Sequence, residues 1–358
     1  MDSPYSRELN LAFGAIQKAA QLSQSIILSQ DKGVVEKEDL SPVTVADFAI
    51  QALLIATFKH AFPDDSFVGE EDASSLRSNE TLLERVWELL QRLSRDDGAG
   101  TLFSLPATRG QMCDLIDEAG TNSPGPGRTW VFDPIDGTKT YVRGELYAIN
   151  ICLLVGGKQR LGAVGCPNLA MEAQGPICNA DIDPAGEGCI LFAVEGHGAY
   201  VRTLRGSPAG TQPRRLPPVS GRADGVRFVT CVNLVDSALD GVHEAVADRL
   251  GAAFPGCDLL PWVVRWAALA LGLADTTVWV YKRRDRLAKT WDHAGAMLLF
   301  QETGGKITDV HGRPIDVSAG RKLSANFGFV AAPEPLHGRV LEAVHEVLRQ
   351  QGHGEMLT

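Results

Sequence analysis

Two carboxylates, Asp133 and Asp136, stand at the end of the run Thr129-Trp130-Val131-Phe132, with Pro134 between them and Gly137-Thr138 directly after. The run reads as a buried strand, and proline fixes the bend that lets both acids converge beyond its end. Carboxylates that close repel each other, so they need a cation, a shared proton or open water. Hard oxygen ligands suit Mg2+, which takes one or two carboxylates and keeps positions for water and substrate phosphate. Gly137 and Thr138 offer backbone N–H groups where a phosphate oxygen could sit. The chemistry indicated is metal-dependent work on a phosphate ester.

Three further acids lie at element ends. Asp47 heads a helical pattern after Ser41-Pro42-Val43-Thr44, Glu70 follows Phe67-Val68-Gly69, and Asp292 sits at the start of an apolar helix, in Lys289-Thr290-Trp291-Asp292-His293-Ala294-Gly295. Taken singly, Asp47 and Asp292 read as N-caps and Glu70 as a solvated loop acid. His293 suits Mg2+ less well than oxygen does, which favours an orienting or structural role. No G-x-S-x-G elbow and no G-x-x-x-x-G-K-[ST] loop occurs, which removes serine-hydrolase and P-loop ATPase readings. The basic run Lys282-Arg283-Arg284-Asp285-Arg286 reads as a solvated loop or as a rim that attracts a polyanion.

Helical spacing over 5–30, 46–62 and 79–95, with a short strand at 67–71, supplies the elements that position Asp47 and Glu70. Residues 96–128 are rich in Gly, Ser, Pro and Asp, and read as a surface insertion with one helical interruption near 112–118. Strands are expected at 130–135, 147–155, 161–165, 189–195 and 199–203. Beyond a Gly/Pro-rich stretch, strands at 227–232, 277–281, 306–310 and 328–332 alternate with helices at 237–250, 263–272, 291–303 and 335–351, an α/β signature. The expected organisation is an α+β metal-binding domain over 1–205 with an antiparallel sheet, a linker over 206–225, and an α/β domain over 226–358 that contributes Asp292 and the substrate pocket.

The chain has 358 residues, 44% hydrophobic and 22% charged, ordinary for a soluble globular protein. A net charge of −10 argues against non-specific nucleic-acid binding, which leaves a basic footprint. Seven cysteines without C-x-x-C spacing argue against a disulfide scaffold or structural zinc and for a reducing compartment. The first residues lack the regions of a signal peptide, and no apolar run reaches membrane-span length. The expectation is a cytoplasmic monomer or homodimer.

The order Asp47…Gly69-Glu70-Glu71…Trp130-x-x-Asp133-Pro-Ile-Asp136-Gly-Thr138…Trp291-Asp292-x-Ala294 resembles the inositol monophosphatase superfamily of lithium-sensitive, Mg2+-dependent phosphatases. Within it, Ser41-Pro-Val-Thr-x-x-Asp47, Phe62-Pro-Asp-Asp65, Asp133-Pro-Ile-Asp-Gly-Thr-Lys139, Arg143-Gly-Glu145 and Gly165-Cys-Pro-Asn-Leu169 resemble the fungal and plant 3′(2′),5′-bisphosphate nucleotidases. The resemblance implies a layered α/β/α/β/α sandwich with the active site between its halves. It implies Glu70, Asp133 and the Ile135 carbonyl as ligands of one metal, and Asp133, Asp136 and Asp292 as ligands of a second. Asp47 would hold water near a weaker third site and, with Thr138, orient the attacking water. About two to three Mg2+ ions would then act on a small-molecule phosphate ester.

Residues 230–290 depart from the nucleotidase pattern. Cys231-Val-Asn-Leu-Val-Asp236 stands where those enzymes carry Gly-His-Ser-Ser, and Leu260-Pro-Trp-Val-Val-Arg265-Trp266 where they carry Asp-Ser-Gln-x-Lys-Tyr. The resemblance still implies hydrolysis of 3′-phosphoadenosine 5′-phosphate to AMP and phosphate, with Trp262 or Trp266 stacking on adenine and Arg265 holding the second phosphate. Alternatives are an inositol or sugar phosphatase, a phosphatase for another metabolite, or a ligand binder that reuses the fold.

Overall fold

The computed structural model describes residues 3–28, 35–36, 42–96, 103–205, 212–220, 225–232 and 237–357. The chain opens with α1 (Ser6–Leu28), β1 (Val35–Glu36), β2 (Pro42–Val43), α2 (Val45–Ala61), β3 (Ser66–Gly69), α3 (Ser74–Ser78), α4 (Glu80–Asp96) and α5 (Arg109–Thr121). Next come β4 (Arg128–Asp136), α6 (Thr138–Tyr141), β5 (Ala148–Val155), β6 (Lys158–Cys166), β7 (Cys189–Val194), β8 (Gly198–Thr203) and β9 (Arg214–Arg215). The second half holds β10 (Arg227–Thr230), α7 (Val242–Arg249), β11 (Ala253–Asp258), α8 (Trp262–Ala270) and β12 (Thr277–Trp279). A 3-10 turn (Thr290–Asp292), α9 (Ala294–Glu302), β13 (Gly305–Thr308), β14 (Phe329–Pro333) and α10 (Glu334–Gln350) follow.

These elements stack as the expected α/β/α/β/α sandwich. Strands β3 to β9 form one sheet in chain order. Helices α1 and α2 cover one face of it, and α8 and α9 cover the other. Alternation along β4 explains why both faces are dry: Trp130 and Phe132 pack with the α1–α2 core, and Val131 with the α8–α9 core. Beyond α8 and α9 lie β10 paired with β11 and the sheet β12-β14-β13, covered outside by α7 and α10.

Several expectations need correction. The first sheet is antiparallel except that β3 runs parallel to β4, because helices α3, α4 and α5 intervene and the chain returns in the same direction. Residues 109–121 are no surface insertion: Met112, Ile116 and Ala119, spaced four and three apart, are fully buried, and α5 packs on α2 and β3. In the second half β10 and β11 pair in parallel, whereas β12 and β13 both run antiparallel to β14. Strand β11 was not expected, since Pro255 and Gly256 interrupt its pattern. Of the expected linker, 206–211 and 221–224 lie outside the described residues, whereas Arg214 and Arg215 pair with β8 and extend the first sheet.

Candidate metal centre

Residues three apart on a regular strand face opposite sides, so Asp133 and Asp136 need an irregularity to act together. Strand β4 supplies one. Asp133 is opposite Asn150 and Asp136 is opposite Ala148, so three steps on β4 match two on β5. This bulge, with Pro134 inside it, brings both acids to the same side of the sheet. The Ile135 N–H donates to Asp133 Oδ1 at 3.0 Å and the Val263 N–H to Asp136 Oδ2 at 2.6 Å. The second bond places Asp136 at the N-terminus of α8, where the helix dipole favours a negative charge. Gly137 takes φ 89°, and a Cβ there would lie 2.5 Å from Pro261 Cγ, so the close turn onto α8 requires glycine.

Asp292 reaches these acids because α9 lies almost on the sheet. A Cβ at Gly162 would stand 2.2 Å from the Gly295 carbonyl oxygen, and one at Gly295 would stand 2.3 Å from Asn150 Oδ1. Buried Asn150 on β5 donates from Nδ2 to the Trp291 carbonyl at 2.6 Å, tying the 3-10 turn to the strand opposite Asp133. Carboxylate oxygens of Asp133, Asp136 and Asp292 all come within 4.8 Å of one another.

Burial pushes the Asp133 carboxyl well above the usual carboxylate range, and the charges of Glu70, Asp136, Asp292 and Asp47 push it further. Asp136 is raised by burial and then by Asp292, opposed by the Val263 N–H and the charge of Arg265. Three converging carboxylates, two of them buried, form an all-oxygen donor set that fits a hard divalent cation. Asp133, Asp136 and Asp292 would hold it.

The other expected residues surround this core. Buried Asp47 is at N3 of α2, where its Oδ2 accepts from the Thr44 N–H at 2.8 Å and from Thr44 Oγ1 at 2.6 Å, a capping box. Glu70 Oε1 lies 3.5 Å from Lys289 Nζ. Thr138, first residue of α6, directs its Oγ1 to the Ile135 carbonyl at 3.4 Å, a long contact. Gln51, one turn beyond Asp47 on α2, escaped the sequence reading. Its Nε2 donates to the Glu71 carbonyl at 2.6 Å and its Oε1 accepts the Glu71 N–H at 2.9 Å, fixing the turn that carries Glu70. A lone glutamine in the apolar run Phe48-Ala49-Ile50-Gln51-Ala52-Leu53-Leu54 was its signal.

Arg265, the cation expected to hold a second phosphate, is enclosed by protein. It is wholly buried, donates to the carbonyls of Leu259 (2.7 Å) and Leu260 (3.0 Å), and is packed between the rings of Trp262 (4.1 Å) and Trp279 (4.6 Å). Trp262 is half-buried at the head of α8, edge-on to His293. Trp266 is fully buried, and its Nε1 donates to His293 Nδ1 at 3.0 Å. Burial also lowers the His293 pKa well below normal, so the ring is held as a neutral imidazole whose Nδ1 is taken by Trp266. The basic loop is largely engaged: Arg283 pairs with Asp285, Lys282 with Asp240, and Arg284 donates to the Met356 carbonyl.

The sequence profile of the inositol monophosphatase family matches residues 5–349. The 3′(2′),5′-bisphosphate nucleotidase of Emericella nidulans is 38% identical over 354 residues, covering 96% of this chain and 99% of that protein. The nucleotidase of Schizosaccharomyces pombe is 33% identical, covering 98% of each. Among solved structures, a Thermotoga maritima IMPase superposes with a TM-score of 0.57 at 17% identity, over 96% of this chain and 99% of that one. A 2′AMP-bound SaIMPase-II superposes with a TM-score of 0.55 at 17% identity, over 98% of each. At those identities the structures speak for the fold.

Proposed function

The chain belongs to the inositol monophosphatase family of Mg2+-dependent phosphoric monoester hydrolases, and we propose that its substrate is a nucleoside 3′(2′),5′-bisphosphate, 3′-phosphoadenosine 5′-phosphate above all. The observation that carries the reading is the convergent triad Asp133, Asp136 and Asp292, set inside a chain that matches bisphosphate nucleotidases over nearly its full length. Water attacks the 3′-phosphorus, the P–O bond to the ribose breaks, and AMP and inorganic phosphate leave.

Bound Mg2+ supplies Lewis-acid chemistry, polarising phosphoryl oxygens and making water more acidic. Asp133, Asp136 and Asp292 would hold one ion, and Glu70, Asp133 and the Ile135 carbonyl would hold another. Asp47 and Thr138 orient the attacking water. The Gly137 and Thr138 N–H groups receive a phosphate oxygen, so positioning and charge do most of the work, as phosphoryl transfer requires. Trp262 is the side chain kept for the nucleobase, and Arg265 backs its ring rather than gripping phosphate. Division into a metal-binding first half and a substrate-selecting second half belongs to the same reading, as do a cytoplasmic setting and a monomer or homodimer. All seven cysteines are free, six of them buried, which suits a reducing compartment. Among the described residues no helix is long and apolar enough to cross a membrane.

Phosphate release from a panel with Mg2+ tests the substrate: 3′-phosphoadenosine 5′-phosphate, 2′-AMP, inositol monophosphate and a sugar phosphate. AMP as the main product from the bisphosphate is expected. Turnover of inositol or sugar phosphate alone would move the chain to another substrate within the family, and ligand binding without any turnover would make it a binder.

A further inference from the structure

We propose that Arg321 is a positioning residue that sets Glu70 and Asp292 relative to each other, so that the Glu70 side of the metal centre forms only when Arg321 spans both halves of the chain. This inference rests on the reading of Glu70 and Asp292 as metal ligands. Arg321 lies in the loop between β13 and β14, far in sequence from both acids. Its Nη2 donates to the Gly69 carbonyl at 2.7 Å and reaches the Glu70 carbonyl at 3.4 Å. Its Nη1 donates to the carbonyls of Ala119 (2.8 Å) and Asn122 (3.1 Å) at the end of α5, which packs on β3. One guanidinium thus closes the end of β3 onto α5.

The same residue holds the turn that carries Asp292. The Arg321 carbonyl accepts the Thr290 N–H at 2.9 Å, and the guanidinium lies 4.6 Å from the Trp291 ring centroid. Thr290 Oγ1 adds a bond to the neighbouring Gly320 carbonyl at 2.6 Å. The four guanidinium bonds to Gly69, Glu70, Ala119 and Asn122 all end on backbone oxygens. The Glu70 carboxylate meets Lys289, while the Arg321 guanidinium bonds at Gly69 and Glu70 go to their carbonyls, so Arg321 fixes the backbone of Glu70. A planar fork of donors that also stacks on an aromatic ring is a guanidinium property, and lysine does not reproduce it. The arrangement is that of an outer residue that orients a ligand without touching the ion, a role whose loss costs about 10–100-fold in metal affinity.

The test is Mn2+ calorimetry on the full chain without substrate, for wild type, Arg321→Met, Arg321→Lys, Glu70→Gln and the Arg321→Met/Glu70→Gln double variant. Glu70→Gln and Arg321→Met should each weaken one Mn2+ binding step by about tenfold, and the double variant should bind no worse than Glu70→Gln alone. Arg321→Lys should fail to restore binding. At saturating Mg2+ the substrate KM should stay unchanged while the Mg2+ concentration for half-maximal rate rises. Wild-type Mn2+ binding in folded Arg321→Met, or full additivity with Glu70→Gln, overturns the proposal. If Arg321→Met does not fold, Arg321→Lys decides by the same isotherm. Unchanged binding in Glu70→Gln removes Glu70 as a ligand and the inference with it, whereas weakened binding there beside normal binding in the Arg321 variants removes the inference alone.

Discussion

The end of β4 and the head of α8 are neighbours joined by the bond from Val263 to Asp136, and both bury charge, yet they do opposite things with it. At β4, Asp133 and Asp136 meet Asp292 in a cluster of one sign, and burial raises both of the first two. At α8, Arg265 is equally buried, but two carbonyls and two tryptophan rings absorb its charge. The first arrangement is a set of donors that an outside cation would complete. The second is close to complete and serves packing. Burial of charge does not by itself mark a functional site; an unbalanced cluster of like charge does.

The largest expected effect strikes the β4 side. Asp133→Asn or Asp136→Asn should lower phosphate release by on the order of 10^2 to 10^3, as loss of a principal electrostatic stabiliser does. The same variants should raise the melting temperature of the metal-free protein, because one of the repelling charges is gone. Activity retained in both would erase the contrast between the regions.

At α8 the prediction reverses. Arg265→Met leaves the Leu259 and Leu260 carbonyls without their donor and should cost about 3 kcal/mol in urea unfolding, while KM in the folded enzyme changes little. A large rise in KM at unchanged stability would instead make Arg265 a substrate residue. His243, on α7, sharpens the point. Its Nε2 accepts the Val280 N–H at 2.9 Å, its ring packs on Trp279, and its pKa is pushed down to about 3 by burial and then by Arg265. The folded state therefore refuses a proton that the unfolded chain accepts below about 6.5. Stability should be full above that pH and fall as pH drops toward 3, by about 1.4 kcal/mol per pH unit from this group. A His243→Gln variant should lose that part of the slope in denaturation curves measured from pH 7 to pH 4.

The smallest effect belongs to Lys289. Removing the cation beside Glu70 with Lys289→Met should lower the Mg2+ concentration for half-maximal rate by about threefold, the scale of one partly exposed ion pair. A rise would mean that Lys289 supports the metal site instead of competing with it.

Much of the β4 side was legible in the sequence, because the acids, the proline and the Gly-Thr pair are adjacent and their residue types announce the chemistry. The bulge that turns Asp133 and Asp136 to one side was not, since it is a register between two strands. Asn150 left a signal, a lone polar residue in Ala148-Ile149-Asn150-Ile151-Cys152, whose partner 141 positions away could not be named. Arg321 left none, because its partners are backbone carbonyls, which every residue has. Arg265 among the tryptophans could be read two ways for a physical reason: a cation among tryptophans is the composition both of a nucleotide pocket and of a closed cation–π stack. Helix α5 carried the spacing of a buried face, but its Gly- and Pro-rich flanks hid it.

The central claim is that the acids gathered at the end of β4 exist to hold metal. Anomalous diffraction from crystals soaked in Mn2+ tests it directly. The account predicts one peak among the carboxylates of Asp133, Asp136 and Asp292 and a second beside Glu70, Asp133 and the Ile135 carbonyl. Crystals that bind Mn2+ elsewhere, or that show no peak at these acids at saturating Mn2+, would contradict it.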